Sequence, residues 1–271
     1  MDSRETELER ETRSRYSGDN GVYQPETISH LPDDRLFGFS ENLLRFKLGI
    51  VRQMAAGAAL LDIGCGNGLH AIELARYASK VDGVDYSENF ISYARSLARE
   101  RGVSNVNFSC ANARSLPHAA DSFDVAYCFA ALYYMPSPLD VITEIARVLK
   151  PGGKCVLEFG NVYSLNTIVC KYYPELAKGC HIPVGEMTGI LRRAGLIIER
   201  HHSFQLLPMW ADRPWWLRPL LHPAVTRALS KQIHGRMLDE RISSLPLLKN
   251  FAFRHLFVAR KQRPADCGKI R

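Results

Sequence analysis

Short apolar runs alternate along this chain with stretches whose apolar positions recur every three or four residues. Residues 58–63 form the first run, and a cluster of glycines follows it at 64–68. A short continuous apolar run that leads into glycines indicates a buried strand entering a turn. Similar runs predict seven strands, at 58–63, 81–85, 106–110, 123–129, 154–159, 196–204 and 254–260.

Helical spacing predicts helices between these strands. Ser87 is a suitable N-cap for the helix that follows the second strand, and Pro151 with two following glycines is a stop signal. Strands that alternate with helices imply a parallel sheet with right-handed crossovers, which is an α/β fold. The predicted helices lie at about 43–57, 69–78, 88–98, 141–149 and 185–194.

Two stretches interrupt the alternation after the fifth strand. The first is rich in Tyr, Cys and Pro and precedes the helix near 185–194, and the second precedes the last strand. We expect both to form a helical or loop cap over the carboxyl edge of the sheet, where ligands bind in open α/β folds. The predicted organisation is an N-terminal arm at 1–40, a core at 41–160, the completed sheet with its inserted cap at 161–262, and a basic tail at 263–271.

The composition is that of an ordinary globular protein. The chain has 271 residues, of which 46% are hydrophobic and 23% charged, enough for one large domain. No apolar run reaches the roughly 18 residues of a membrane span, and the N-terminal segment is too charged for a signal peptide. The seven cysteines form no CxxC pair. We therefore predict a cytoplasmic protein without a disulfide framework.

The net charge of +7 is unevenly distributed. Residues 192–271 carry 16 Lys and Arg against 5 Asp and Glu, whereas residues 1–191 carry 19 against 23. All three tryptophans, Trp210, Trp215 and Trp216, lie in the basic part. Tryptophan beside arginine and leucine fits a lid over an apolar, anionic small molecule, a transient contact with a membrane surface, or plain packing of the cap.

The strongest candidate for chemistry is the glycine turn at 64–68, which Asp62 precedes. Glycines permit a sharp turn and let the backbone approach a ligand, and the following helix presents free N–H groups and partial positive charge. Asp85 ends the second strand, about 20 residues later, where an acid can bind ribose hydroxyls. The turn lacks the third glycine of the dinucleotide fingerprint, so a nicotinamide enzyme is the weaker alternative.

Motifs further along the chain add to this turn. The segments 111–113 (Ala-Asn-Ala), 122–125 (Ser-Phe-Asp-Val), 132–136 (Leu-Tyr-Tyr-Met-Pro) and 149–153 (Leu-Lys-Pro-Gly-Gly) follow it in order. Over residues 40–160 the set resembles the class I S-adenosylmethionine-dependent methyltransferases, especially the type 11 branch with the ubiquinone and menaquinone methyltransferases. The resemblance implies a Rossmann-like, doubly wound, mostly parallel seven-stranded sheet with an antiparallel last strand, and S-adenosyl-L-methionine as cofactor.

The resemblance also implies a set of cofactor-binding residues. The glycine turn would line the methionine part, Asp85 would bind both ribose hydroxyls, and Tyr86 would pack on the adenine. Asn112 and Ala113 would address the adenine edge, and Phe129 would lie beside the sulfonium. The full set is Asp62, Gly64, Cys65, Gly66, Gly68, Asp85, Tyr86, Asn112, Ala113 and Phe129. The chain departs from the family pattern at Asn112, where an acid is usual, and at 133–134, where His-His is usual in the similar branch.

Methyl transfer requires alignment and exclusion of water more than covalent help from the protein. An oxygen nucleophile also requires a base within hydrogen-bond reach. Tyr133 and His181 are the catalytic candidates, although a tyrosine here can equally pack the core and a lone histidine is more often structural or solvated. Glu158 either points into the site or carries a surface charge. No His, Cys, Asp or Glu spacing resembles a metal site.

The expected acceptor is a small, largely apolar, anionic or lipid-like molecule of a biosynthetic pathway, methylated on oxygen or carbon. Residues 129–132 read Phe-Ala-Ala-Leu where amino-methylating DNA enzymes of the family carry Asn/Asp-Pro-Pro-aromatic, which argues against nucleic acid as a partner. The alternative is a family member that binds the cofactor and catalyses a pericyclic reaction or none. The sequence leaves the oligomeric state open.

Overall fold

The computed structural model describes Arg10 and residues 34–167, 181–207, 219 and 222–264. Within these residues, the helices are α1 (Asp34–Arg52), α2 (Leu69–Leu74), α3 (Glu88–Glu100), α4 (Pro138–Val148), α5 (Val184–Arg193), α6 (Pro223–Ser230) and α7 (Leu238–Ser243). The strands are β1 (Ala59–Ile63), β2 (Lys80–Asp85), β3 (Val106–Cys110), β4 (Phe123–Cys128), β5 (Leu149–Gly160), β6 (Leu196–Phe204), β7 (Gln232–Ile233), β8 (Arg236–Met237) and β9 (Arg254–Lys261). Single 3₁₀ turns occur at Leu132–Tyr134 and Leu248–Asn250.

Seven of these strands form one sheet in the order β3-β2-β1-β4-β5-β9-β6. The pairs among β1 to β5 are parallel, and β9 runs antiparallel between β5 and β6. The predicted mostly parallel, seven-stranded sheet with an antiparallel last strand is confirmed. The order of strands reverses between β1 and β4, so a crevice forms outside their carboxyl ends.

The parallel strands are continuous apolar runs because helices cover both faces of the sheet. All five residues of β1 are buried. Leu60 belongs to a cluster that includes residues of α1, α2 and α3, and Leu61 belongs to a cluster that includes residues of α4 and α5. The core therefore has two layers, and β1 lies between them.

Several predicted boundaries are wrong. Helix α2 ends at Leu74 instead of continuing to 78, because the backbone N–H of Ser79 bonds to the carbonyl of Ala58 and draws the chain into β2. Strand β5 begins at Leu149, and its pairing with β4 shifts between Phe123 and Val125. The predicted stop at 151–153 therefore lies inside an irregular part of β5.

The second interruption is described in part, as α6, the hairpin β7–β8 and α7. Helix α6 packs against α1, and Asp239 at the start of α7 accepts a hydrogen bond from the backbone N–H of Gln205, 2.6 Å away. This part of the expected cap therefore contacts α1 and the carboxyl end of β6. Trp210, Trp215 and Trp216 lie outside the described residues, as does most of the first interruption.

The sequence predicts neither a membrane span nor a metal site. None of the described helices is long and apolar enough to cross a membrane. Across the described ranges, no group of three His, Cys, Asp or Glu side chains could hold a metal ion. Helix α1 spans the expected boundary between arm and core, and the division of the chain stays a prediction.

Candidate active site

The glycine turn after β1 adopts conformations that side chains rarely tolerate. Gly64, Gly66 and Gly68 have φ values of +71°, +51° and +76°, in the left-handed region. A Cβ added to Gly64 would lie 2.4 Å from the Cβ of Ala131, and one added to Gly68 would lie 2.7 Å from the Phe108 ring. Both the backbone path and the packing therefore require glycine here.

Asp85 connects this turn to the next helix. One carboxylate oxygen accepts a hydrogen bond from the backbone N–H of Gly66 at 2.9 Å, and the other accepts from Ser87 N–H at 3.0 Å. Burial raises the pKa of Asp85 above its usual range, although the backbone N–H donors act to lower it. Each carboxylate oxygen has a second acceptor site, so Asp85 can hold the turn and still bind hydroxyl groups.

A cavity of about 270 Å³ lies across the carboxyl ends of β2, β1 and β4. Its walls include Gly64, Cys65, Gly66 and Asp85 from the turn and the end of β2. Four further predicted residues line it: Tyr86, Asn112, Ala113 and Phe129. The structure thus brings eight of the ten predicted cofactor residues around one cavity.

Asp62 and Gly68 are the two predicted residues that do not line the cavity. Asp62 is only 2% exposed, and among the described residues its Oδ2 has no partner at hydrogen-bond geometry, although the buried Tyr127 hydroxyl is close enough to act on its pKa. Burial raises the pKa of this carboxyl to about 8. Gly68 lies against Phe108 and Ala94. Asp62 therefore precedes the turn, and Gly68, its last residue, packs against α3 and β3 instead of the cavity.

Ala130, on the β4 side of the cavity, has a strained backbone conformation. Ala130, which follows Phe129, has φ +54°, a conformation that costs an alanine about 1–2 kcal/mol. Its backbone N–H donates to Oε2 of Glu158 at 3.0 Å. Glu158, at the end of β5, therefore stabilises the sharp exit of the chain from β4.

Glu158 is buried between two cations instead of lying at the surface. Its oxygens accept hydrogen bonds from Nζ of Lys47 at 2.8 Å and Nη1 of Arg254 at 2.5 Å. The side chains of Lys47, Glu158 and Arg254 are 7%, 1% and 17% exposed. Burial alone would raise the pKa of Glu158, but Lys47 and Arg254 outweigh burial and lower it to about 2.

The two catalytic candidates lie together but do not line the cavity. The rings of Tyr133 and His181 are 5.8 Å apart, whereas the neighbouring Tyr134 lines the cavity. Burial and the nearby Arg254 lower the pKa of His181 to about 4, and burial raises the pKa of Tyr133. Both groups are therefore neutral at pH 7, and His181 binds a proton weakly.

Several cavity residues were not predicted from the sequence. His70 lines the cavity, and burial and Lys47 lower its pKa to about 4. No sequence signal separates it from an ordinary buried histidine of a helix. Tyr134, Met135 and Pro136 also line the cavity. They belong to the family motif at 132–136, which is the sequence signal by which they could have been predicted.

Comparisons with known proteins agree with this geometry. Residues 61–157 match the methyltransferase domain family. The ubiquinone biosynthesis O-methyltransferase of Xanthomonas axonopodis pv. citri (strain 306) is 33% identical over 183 residues, which cover 64% of this chain and 76% of that protein. The chain is therefore similar to an O-methyltransferase over most of that protein's length.

Solved structures share the fold. The [4+2]-cyclase SpnF is 25% identical with a TM-score of 0.58, and the match covers 82% of this chain and 81% of SpnF. The magnesium protoporphyrin IX methyltransferase of Synechocystis PCC 6803, solved with bound SAH, is 16% identical with a TM-score of 0.55 over 84% and 85% of the two chains.

The cavity fits the cofactor of this family. Glycines bring the turn backbone to the cavity wall, and the Asp85 carboxylate retains acceptor sites at the end of β2. The cofactor is S-adenosyl-L-methionine, and the protein is an enzyme that depends on it. The chain belongs to the class I S-adenosylmethionine-dependent methyltransferases.

Proposed function

We propose that this enzyme transfers the methyl group of S-adenosylmethionine to an oxygen or carbon of a small, largely apolar acceptor. The observation that carries the proposal is the composition of the cavity wall on its β4 side. Phe129, Tyr134, Met135 and Pro136 lie there, opposite the polar end formed by Asp85 and its neighbours. An aromatic and aliphatic wall favours an apolar molecule over a strongly hydrated one. The name of the Xanthomonas relative, an O-methyltransferase of ubiquinone biosynthesis, supports the same class.

The cofactor would lie along the cavity with its adenosine toward β2 and β3. Asp85 would bind the ribose hydroxyls, and Asn112 and Ala113 would bind the adenine edge while Tyr86 packs on its face. The turn at 64–68 would surround the methionine part, while Asp62 and the last residue of the turn, Gly68, would support it without lining the cavity. The amide of Asn112 accepts hydrogen bonds without a charge, so it contributes less than the acid usual in the family.

The chain contributes position and exclusion of water. When bound, the cofactor supplies an electrophilic methyl group on a sulfonium. Phe129 would place an aromatic face beside that group, which adds a cation–π attraction of about 0.5–2 kcal/mol. The apolar wall would hold the acceptor at near-attack distance and exclude water. Tyr133 and His181 do not line the cavity, so they would act on the acceptor only indirectly, by packing behind Tyr134 as neutral groups.

Replacing Asp85 by alanine tests the cofactor site. We expect the binding free energy for S-adenosylhomocysteine, measured by calorimetry, to weaken by about 1.5–3 kcal/mol. The variant lacks the carboxylate that would accept hydrogen bonds from the ribose, and the N–H of Gly66 loses its hydrogen bond to Asp85. Asp82→Ala is the matched control, since Asp82 lies on the same strand and does not line the cavity. Equal affinities in the wild type and Asp85→Ala would contradict the ribose assignment.

The reaction class is tested with labelled cofactor. Incubating a cell extract with the enzyme and S-adenosylmethionine that carries a deuterated methyl group should produce a labelled small molecule detectable by mass spectrometry. A second candidate function is a pericyclic reaction, which the similarity to the cyclase SpnF favours. Conversion of an extract component without incorporation of the label would support that candidate instead.

We further propose that the enzyme contacts an anionic membrane surface through exposed apolar residues near the start of β9. Leu245, Leu247 and Phe251 are 52%, 78% and 51% exposed, and the exposed Lys249 lies among them. Asn161 donates hydrogen bonds to the carbonyls of Asn250 and Ala252, so the segment that carries the exposed Tyr163 and Leu165 begins next to this one. Exposed apolar side chains beside a basic residue are a feature of interfacial contacts, and Lys249 is the basic residue of this patch.

Co-sedimentation with vesicles tests this contact. The wild type should bind phosphatidylserine-containing vesicles. The double variant Leu247→Ser with Phe251→Ser should bind at least about tenfold more weakly, because two apolar side chains that would be transferred from water into the membrane are lost. Tyr77→Ser with Leu139→Ser is the matched control, since these residues are 43% and 37% exposed on other elements. Equal losses in the two double variants, or no binding by the wild type, would contradict the proposal.

A further inference from the structure

Counted over the described residues, the ion cluster of Lys47, Glu158 and Arg254 carries an unbalanced charge. Two cations contact one carboxylate, so the cluster has a formal charge of +1 when both cations are protonated. Burial and Arg254 lower the pKa of Lys47, whereas Glu158 acts to raise it. The carboxylate has little further capacity, because Oε1 accepts from Arg254 and Oε2 accepts from both Lys47 and the N–H of Ala130. A buried charge without a counterion is unfavourable.

The other described contacts of these cations are neutral. Nε of Arg254 donates to the amide oxygen of Gln205 at 2.9 Å, and its guanidinium lies 5.5 Å from the Phe253 ring centre. Nζ of Lys47 lies 5.1 Å from the Phe129 ring centre. Among the described ion pairs, Glu158 is the anion that contacts either cation. The excess positive charge therefore persists within this part of the structure.

The cluster lies directly behind the acceptor side of the cavity. Nζ of Lys47 lies 5.1 Å from the Phe129 ring centre, and Glu158 bonds to Ala130. Arg254 interacts electrostatically with Tyr133 and, more weakly, with Tyr134. Neither cation lines the cavity itself. Phe129, Ala130 and Tyr134 all line the cavity. The positive potential is therefore directed toward the place where an acceptor would bind, through low-dielectric walls that screen it weakly.

We infer that the acceptor binds as an apolar organic anion, whose carboxylate or ionised hydroxyl balances the charge of this cluster across the cavity wall, with Arg254 as the cation that carries the excess charge. The inference rests on the proposed function and defines its substrate class. In this inference Arg254, which pairs with Glu158, determines the specificity for an anionic acceptor. An ionised hydroxyl bound in this way would need no strong protein base, which agrees with the weak proton affinity of the nearby histidines.

Binding of matched probes tests the inference without any turnover. The protein is saturated with S-adenosylhomocysteine, and calorimetry measures the affinity for 2-naphthoate and for 2-naphthamide, which have the same ring and differ in charge. We expect the wild type to bind the naphthoate at least about tenfold more tightly. A third probe, 2-naphthol, distinguishes the two sources of negative charge, since its binding should strengthen with rising pH only if an ionised hydroxyl is accepted.

Variants of Arg254 locate the effect. Arg254→Gln leaves Lys47 and Glu158 as a neutral pair, so it should abolish the preference for naphthoate, whereas Arg254→Lys should retain most of it. Arg260→Gln, a cation of the same strand that pairs with Glu199, is the control and should keep the preference. Equal binding of both probes to the wild type, binding of neither, or an unchanged preference in Arg254→Gln would overturn the inference.

The wild-type comparison decides the matter even if a variant fails to fold. Failure of the inference is also distinct from failure of the proposed function. A wild type that binds S-adenosylhomocysteine and methylates an apolar neutral molecule, but shows no preference for naphthoate, retains the function and refutes the anion site. A wild type that does not transfer the label to any acceptor refutes the function itself.

Discussion

Glu158→Gln should lower the free energy of unfolding by about 3–5 kcal/mol, because the side chains of Lys47 and Arg254 would then share a buried site without a carboxylate. Glutamine has nearly the same shape, so lost packing contributes little. Urea denaturation followed by circular dichroism at pH 7 measures the change. The loss should exceed that of most single substitutions, which lie near 1 kcal/mol.

The chain contains a matched control on the same sheet. Glu199 also contacts two cations, Lys154 at 2.7 Å and Arg260 at 3.3 Å, but its side chain is 29% exposed. Glu199→Gln should therefore cost less than about 1 kcal/mol, since water replaces the lost carboxylate. Similar small losses in both variants would show that the Glu158 cluster is hydrated and would remove the argument for its unbalanced charge.

The same cluster predicts a pH dependence of stability. The pKa of Glu158 is about 2 in the folded protein against a usual value of 4.5. A lowered carboxyl pKa contributes stability that is fully present above pH 4.5 and is lost as the pH falls toward 2. The stability difference between the wild type and Glu158→Gln should therefore narrow progressively between pH 4.5 and 2.

Gly64→Ala should destabilise the protein by about 2–5 kcal/mol and abolish measurable binding of S-adenosylhomocysteine. The expected cost combines a left-handed alanine, about 1–2 kcal/mol, with overpacking of about 1–3 kcal/mol, because the new Cβ would lie 2.4 Å from the Cβ of Ala131. Relief of this contact must move the turn or the segment after β4, and both line the cavity. Thermal unfolding and calorimetry measure the two effects.

Gly102→Ala separates backbone strain from the clash. Gly102 has φ +64°, and no described atom other than those of its chain neighbours lies within 4 Å of an added Cβ. It should show only the cost of the left-handed conformation, about 1–2 kcal/mol, with unchanged cofactor affinity. If Gly64→Ala behaves like Gly102→Ala, the turn has room that the structure does not show, and the cofactor site is not built as described.

The sequence predicted the sheet well because buried parallel strands are read directly as continuous apolar runs. β3 and β6 have the predicted bounds, and Ser87 is the N-cap of α3, accepting from the N–H of Phe90. The turn and Asp85 were predictable for a related reason. The turn follows β1 directly and Asp85 is the last residue of β2, so the parallel arrangement of these strands brings both to one edge of the sheet.

The ion cluster of Lys47, Glu158 and Arg254 could not be predicted from local sequence patterns. Lys47 and Glu158 are 111 residues apart in sequence, and no periodicity connects a lysine of α1 with the end of β5. The choice between Tyr133 and Tyr134 also required the structure. Residues 132–134 form a 3₁₀ turn, in which consecutive side chains point in directions about one third of a turn apart. Adjacent tyrosines therefore face different surroundings.

The reversed direction of β9 has a practical consequence for labelling this enzyme. Because β9 pairs antiparallel to β5, its first residue, Arg254, stands opposite Gly160, while its far end pairs near Lys154. A fluorophore or fusion partner attached shortly after Lys261 would be joined to the end of β9 that is remote from the cavity. A change in the few residues that precede Arg254, by contrast, would act directly on the placement of its guanidinium.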